Sequence, residues 1–282
     1  ITPAMKRARV LATLGGMHRL GAFVGPFLGA AAIAGASLRA AYWVAAGCAL
    51  LAVLVLLAVR EPEDLRAQPR TGRSAPGREI RVVVRRYRHL FLTLGTAVFL
   101  VGATRGARQT VIPLWGEYQG FDPEVISLIF GLSGALDVLL FYPAGKVMDA
   151  FGRLWIGIPS MAIMAGAMVA LPLTSTVAGV TVVAAVLGLG NGMGSGIMMT
   201  LGSDVAPPAE RSTFLGVWRL FQDSGDAAGP LAISAGAALG SLAAGIWVTA
   251  TFGTGAAAAL ARWVPRYSEH ASRTTRRRAG LL

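Results

Sequence analysis

The sequence predicts an all-α polytopic membrane protein of about eight transmembrane helices, and three observations predict it. Of 282 residues, 54% are hydrophobic and only 14% are charged, too few to coat a water-soluble surface. Apolar stretches recur at the length of roughly 20 residues that a hydrocarbon core of about 30 Å demands of a helix. The chain also carries 36 Gly and 14 Pro, a content that membrane helices tolerate because neighbouring helices satisfy the freed backbone groups.

The apolar stretches fall at 14–34, 38–59, 91–113, 123–145, 154–173, 177–201, 213–240 and 241–262. Lys and Arg alternate across them: 21 of 26 fall at residues 6–9, 60–88, 146–153, 211 and 262–278, all on one side of the alternation. The opposite connections hold Glu117, Asp122 and Glu124 but no Lys or Arg, apart from Arg39. Because short cytoplasmic loops collect basic residues, both ends of the chain are expected in the cytoplasm, with the protein multi-pass in the cell membrane. The net charge of +12 thereby finds an explanation in lipid and topology, and nucleic acid is not expected as a partner.

Cys48 is the single cysteine, so no disulfide framework or cysteine metal site is available. His18, His89 and His270 are scattered, and no nucleophile and base are spaced for catalysis. Neither enzyme activity, nor a metal, nor a cofactor is therefore expected. The opening residues, with Lys6, Arg7 and Arg9 but no short apolar core, do not read as a signal peptide. The lack of Met at position 1 points to a start further upstream.

Residues 61–90 are Arg-rich and carry Pro62, Pro69, Pro76, Gly72 and Gly77, the composition of a polar linker between two bundles. Within it, 80–87 has the pattern of a short basic amphipathic helix lying on a membrane surface.

Two Gly-Pro dipeptides stand 204 residues apart, each with a Gly four residues before it: Gly21, Gly25, Pro26 and Gly225, Gly229, Pro230. Arg7 and Arg211 share the same offset. Glycines four apart let helix backbones approach closely, and two copies at one offset favour a duplicated bundle. The connection Gly145-Lys-Val-Met-Asp149-Ala-Phe-Gly152-Arg153 resembles the G-x-x-x-D-x-x-G-R loop signature of the major facilitator superfamily, and the first Gly-Pro copy resembles that family's fifth-helix motif, described chiefly in antiporters. Ala150 departs from the basic residue usual after the signature Asp.

The resemblance implies that these helices correspond to helices five to twelve of a twelve-helix fold, with four helices upstream. It implies a division into residues 1–60 (the last two helices of an N-terminal bundle), 61–90 (a cytoplasmic linker), 91–265 (a six-helix C-terminal bundle) and 266–282 (a basic cytoplasmic tail). Asp149 is then expected to approach the start of the first span, with Arg153 or Arg211 nearby, forming with Gly145 and Gly152 a cytoplasmic gate.

Charges at membrane depth are costly and are candidates for function. Arg105 and Arg108 share a helix face, as do Asp223 and Asp226. Helix rise puts Arg105 and Asp226 at similar depth, roughly 20 Å into their spans. The resemblance places both helices on a central cavity, so Arg105 and Arg108 are expected opposite Asp223 and Asp226, with Gln109 and Gln222 completing a polar patch. Asp137 is expected at the depth of Asn191, without an obvious basic partner, where a carboxylate could load and release a proton. The run from Gly188 to Gly196 fits no nucleotide loop and reads as a closely packed helix.

The expected function is secondary transport of a small molecule by alternating access, as proton-coupled efflux of amphipathic compounds by a monomer in a lipid bilayer. Proton-coupled uptake of an anionic metabolite, or a truncated remnant without activity, are the alternatives.

Overall fold

A computed structural model describes residues 20, 21, 23–58, 76–194 and 196–280. Among the described residues there is no strand. The helices are α1 (Phe23–Gly35), α2 (Leu38–Ala58), α3 (Pro76–Arg86), α4 (Arg88–Tyr118), α5 (Pro123–Phe151), α6 (Leu154–Leu173), α7 (Val177–Gly194), α8 (Ile197–Val205), α9 (Arg211–Ala238), α10 (Leu242–Tyr267) and α11 (Arg273–Arg278). Among the described residues, six spans are long and apolar enough to cross a membrane: α2, α4, α5, α6, the stretch Val177–Val205 that holds α7 and α8, and α10. The expected span at 213–240 is present as α9, whose 28 residues are long enough, but Arg219, Asp223 and Asp226 interrupt its apolar run. The expected first span lies partly outside the described residues.

Several expected boundaries shift. The third span starts at Arg88 and carries a π-helical turn at Phe91–Gly95, where Phe91 stacks on Phe221 and Phe214. The fourth span continues to Phe151, so Gly145 is not part of a loop: it lies in the helix interior, and only Gly152 and Arg153 turn the chain. Gly152 does so at φ 105, a conformation that side chains disfavour. The amphipathic helix expected at 80–87 is α3; it seats Val83 against the bundle and pairs Arg86 Nη1 with Glu210 at 3.1 Å.

α4, α9, α10, α6, α7 and α5 form a ring in which each packs on the next, and α10 also packs on α4. The core holds Leu94, Met161, Met164, Met168, Leu187 and Leu260, all fully buried. Outward faces stay apolar, with Leu139, Trp155, Leu173 and Leu231 each at least 60% exposed, as surfaces toward lipid require. Exchanging the first three members of the bundle (α4, α5, α6) for the last three (α7, α9, α10) maps the α4–α9 contact onto α7–α5, and the α6–α7 contact onto α10–α4. The bundle is thus itself built from two similar three-helix units.

α2 differs from all of these helices. It has no buried residue, and Trp43 and Leu57 are 77% and 78% exposed. α1 touches the bundle through Phe27, which lies against Gly131 of α5.

Candidate functional site

Two helix crossings carry the polar interior. At the first, Gly102 and Gly106 of α4 lie against the backbone of Gln222 and Asp226 of α9, while Gly225 and Gly229 lie against Phe99, Ala103 and Ala107 of α4. A Cβ on any of the four would overlap backbone atoms, so glycine is required for this separation. At the second, Gly188 and Gly192 of α7 lie in the same way against Ser133 and Asp137 of α5. Each crossing therefore sets an aspartate beside the second glycine of a four-residue pair. The other glycines of the α7 run face α6, where Gly190 meets Met164 and Gly194 meets Ser160.

Close approach brings the polar side chains together. Asn191 Nδ2 donates to Asp137 Oδ2 at 2.6 Å, and Arg108 Nη1 lies 3.7 Å from the same oxygen. Arg108 Nη2 donates to Ser133 Oγ at 3.0 Å, and its carbon lies 6.0 Å from the Phe130 ring centre. Arg108 is buried at 6% exposure, and its Nε has no hydrogen-bond partner. The expected depth match of Asp137 and Asn191 is thus seen as a hydrogen bond. The expectation that Asp137 lacks a basic partner is corrected: Arg108 reaches it across α4 and α5.

The proposed facing of Arg105 and Arg108 with Asp223 and Asp226 is corrected in three respects. Arg108 serves Asp137, as above. Asp223 turns out of the bundle, half exposed, and pairs with Arg219 Nε one turn earlier at 2.8 Å. Gln109 is exposed on α4, away from Gln222. What remains is Arg105, whose guanidinium lies beside Gly194 of α7, one residue before the Gly106 that packs on Asp226. The reason is angular: residues three apart on a helix diverge by about 60°, enough to send one of each pair elsewhere.

At one end of the bundle the signature residues form a second network. Arg153, 8% exposed, donates through Nε to Asp204 Oδ2 at 3.1 Å and through Nη2 to Oδ1 at 3.4 Å. Its Nη1 reaches Asp149 Oδ1 at 3.4 Å, and Ser268 Oγ donates to Asp204 at 3.0 Å. Arg211 donates instead to Ser203. Asp149 therefore pairs within its own turn, and the start of the first span, where a partner was expected, lies outside the described residues.

The two Gly-Pro copies are not equivalent. Gly225 and Gly229 pack tightly, with Pro230 inside α9, whereas Gly21 and Gly25, ahead of Pro26, have no neighbour within 4 Å of a built Cβ among the described residues. Sequence reasoning missed Ser133, Asp204 and Ser268, and missed Gly102 and Gly106, which a search for four-residue glycine spacing near buried charges would have found.

Among the described residues no cluster of His, Cys, Asp and Glu could hold a metal ion. The family model of the Major Facilitator Superfamily matches residues 1–230. Among curated proteins, none matches the chain.

Proposed function

Because the chain belongs to the Major Facilitator Superfamily and is therefore a membrane-embedded secondary transporter of small molecules, we propose that it couples transport to protons through Asp137 and Asp226. The observation that supports this reading is the placement of Arg108 and Arg105 on one helix, α4: Arg108 pairs with Asp137 of one crossing, and Arg105 adjoins the Gly106 that packs on Asp226 at the other. Protonating Asp137 removes the charge that holds Arg108 and frees α4 from α5 at that point. Protonating Asp226 removes the charge opposite Arg105 and loosens α4 from α9 instead. A helix held by two protonatable contacts can shift from one arrangement to another as protons load and leave, which is what alternating access needs.

Efflux of amphipathic compounds remains the first reading of the cargo, supported by methionines at the surface and interior of α6 to α8, including Met193 and Met199. Uptake of an anionic metabolite is favoured by a different observation, the buried Arg108 Nε that no side chain or backbone oxygen satisfies. We propose that the helices are five to twelve of the family fold, in the cell membrane, with both ends of this chain cytoplasmic and with Gly145, Asp149, Gly152, Arg153 and Arg211 at the cytoplasmic gate. Within the basic 266–282 segment, Ala271 and Ser272, which lead into α11, are held against the turn at Gly152.

The test is flux in proteoliposomes with and without an imposed pH gradient, across cationic, neutral and anionic compounds. Gradient-driven flux should fall at least tenfold in both Asp137→Asn and Asp226→Asn, a loss of about 1.4 kcal/mol in the coupled step. Unchanged gradient-driven flux in both variants would sink the proton pathway, and selective loss of anion flux in Arg108→Gln would favour the uptake reading.

A further inference from the structure

The end of α10 combines features that its transport chemistry does not use. Arg262 and Arg266 flank Trp263, their guanidinium carbons 5.6 Å and 4.9 Å from its ring centre. Indole with flanking cations at the end of an apolar span marks the level where hydrocarbon gives way to headgroups. One residue on, the Tyr267 hydroxyl meets His89 Nδ1 at 2.8 Å and Thr93 Oγ1 at 3.0 Å, fixing this end of α10 to α4.

The basic chain beyond Tyr267 is not left to diffuse. Ser268 anchors to Asp204, and the backbone N–H groups of Arg153 and Leu154 donate to the carbonyls of His270 and Ala271 at 3.1 Å and 3.0 Å. Ser272 and Thr275 then close a capping box that starts α11, and Arg273 lies 4.2 Å over the Phe151 ring. This strap folds α11 back beside α10 and leaves between them a notch of about 420 Å³, with Arg266 and Arg278 on its walls and Tyr267, Thr275 and Glu269 around it.

We propose that this notch binds the phosphate of an anionic phospholipid headgroup. Two exposed arginines from different helices converge there, and guanidinium pairs match phosphate oxygens in geometry as well as charge. Glu269 is the one acid in the lining, so a singly charged phosphodiester suits the notch better than a free phosphate dianion. Trp263, at the apolar end of α10 beside the notch, gives the acyl chains a surface to start along. Basic pockets beside transmembrane helices are suited to such headgroups on physical grounds, each basic residue adding to the attraction of the leaflet's surface potential.

The experiment uses the full chain in nanodiscs of phosphatidylcholine, with and without phosphatidylglycerol, and reads retained lipid by native mass spectrometry after detergent extraction. Phosphatidylglycerol should be retained over phosphatidylcholine, and Arg266→Gln combined with Arg278→Gln should weaken retention about thirtyfold. Arg39→Gln, which removes one arginine charge from the first turn of α2 and none from the notch, should leave it unchanged. Should the double variant fold poorly, the Arg266→Lys/Arg278→Lys protein and a salt titration of the unaltered chain carry the test: retention weakens several-fold but stays selective for phosphatidylglycerol in the former, which keeps the charge and loses the guanidinium fork, and falls steeply with salt in the latter. Equal retention in the double Gln variant, or salt-independent retention, overturns the proposal. Displacement of the lipid by millimolar inorganic phosphate overturns it also, by assigning the notch to a free anion.

Discussion

The α4–α9 and α5–α7 crossings share a scaffold and differ in their electrostatics. Both bring backbones together over glycines four residues apart, and both set an aspartate beside the second glycine. At α5–α7 that aspartate is held from two other helices, by Arg108 of α4 and Asn191 of α7. At α4–α9 the corresponding aspartate packs its backbone on Gly106, beside Arg105, while its neighbour Asp223 is drawn outward by Arg219. Glycine spacing thus fixes how near two helices lie, and the side chains around it decide how firmly. The α5–α7 crossing has the construction of a fixed joint, the α4–α9 crossing that of a movable one.

The sharpest way to break that comparison is to remove Arg108. Its loss leaves the Asp137 carboxylate buried with Asn191 alone, and an orphaned partner of a buried pair typically costs about 3–5 kcal/mol. Arg108→Ala should therefore lower the unfolding temperature of the purified protein by more than any single change at the α4–α9 crossing. Adding Asp137→Asn should restore part of the loss, because the stranded charge is then gone. A cost for Arg108→Ala as small as that of an exposed pair would mean that the two crossings are equally loose.

The glycines come next. Gly106→Ala and Gly192→Ala each push a methyl into backbone atoms of the opposing helix, at Asp226 and Asp137 respectively. Overpacking of this kind costs about 1–3 kcal/mol, and the two crossings should suffer alike in thermal unfolding because their backbones are alike. Gly145→Ala supplies the control: it lies inside α5 with nothing within 4 Å, so the same substitution should stabilise, by about 0.5–1 kcal/mol. If Gly106→Ala were as harmless as Gly145→Ala, the close crossing of α4 and α9 would be wrong.

Much of this arrangement was legible in the sequence. Apolar length located the helices, since lipid imposes it, and helix rise alone put Asp137 level with Asn191. Arg105 and Asp226 were legible for the same reason. Asp223 and Gln109 were misread because depth is one coordinate and facing is another: a step of three residues keeps depth nearly constant but rotates the side chain by about 60°. The Arg108–Asp137 pair was missed because it joins helices whose relative rotation depends on glycine contacts, which no charge count reveals. Ser268 was missed because the basic tail reads as solvated, and only the folded-back strap at Gly152 brings it to Asp204.

Arg219 offers the mildest test of the comparison and the most discriminating one. Its pair with Asp223 is short, 2.8 Å, yet the two are 64% and 51% exposed on one helix face. If distance governed strength, Arg219→Ala would rival Arg108→Ala, whose pair is longer at 3.7 Å. Screening argues the reverse, because an exposed pair one turn apart contributes about 0.2–1 kcal/mol while the buried one cannot lose a partner without stranding a charge. Arg219→Ala should accordingly shift thermal unfolding little, and less still at high salt. A shift as large as that of Arg108→Ala would show that α9 is held at Asp223 rather than at its glycines, and that the movable crossing is the fixed one.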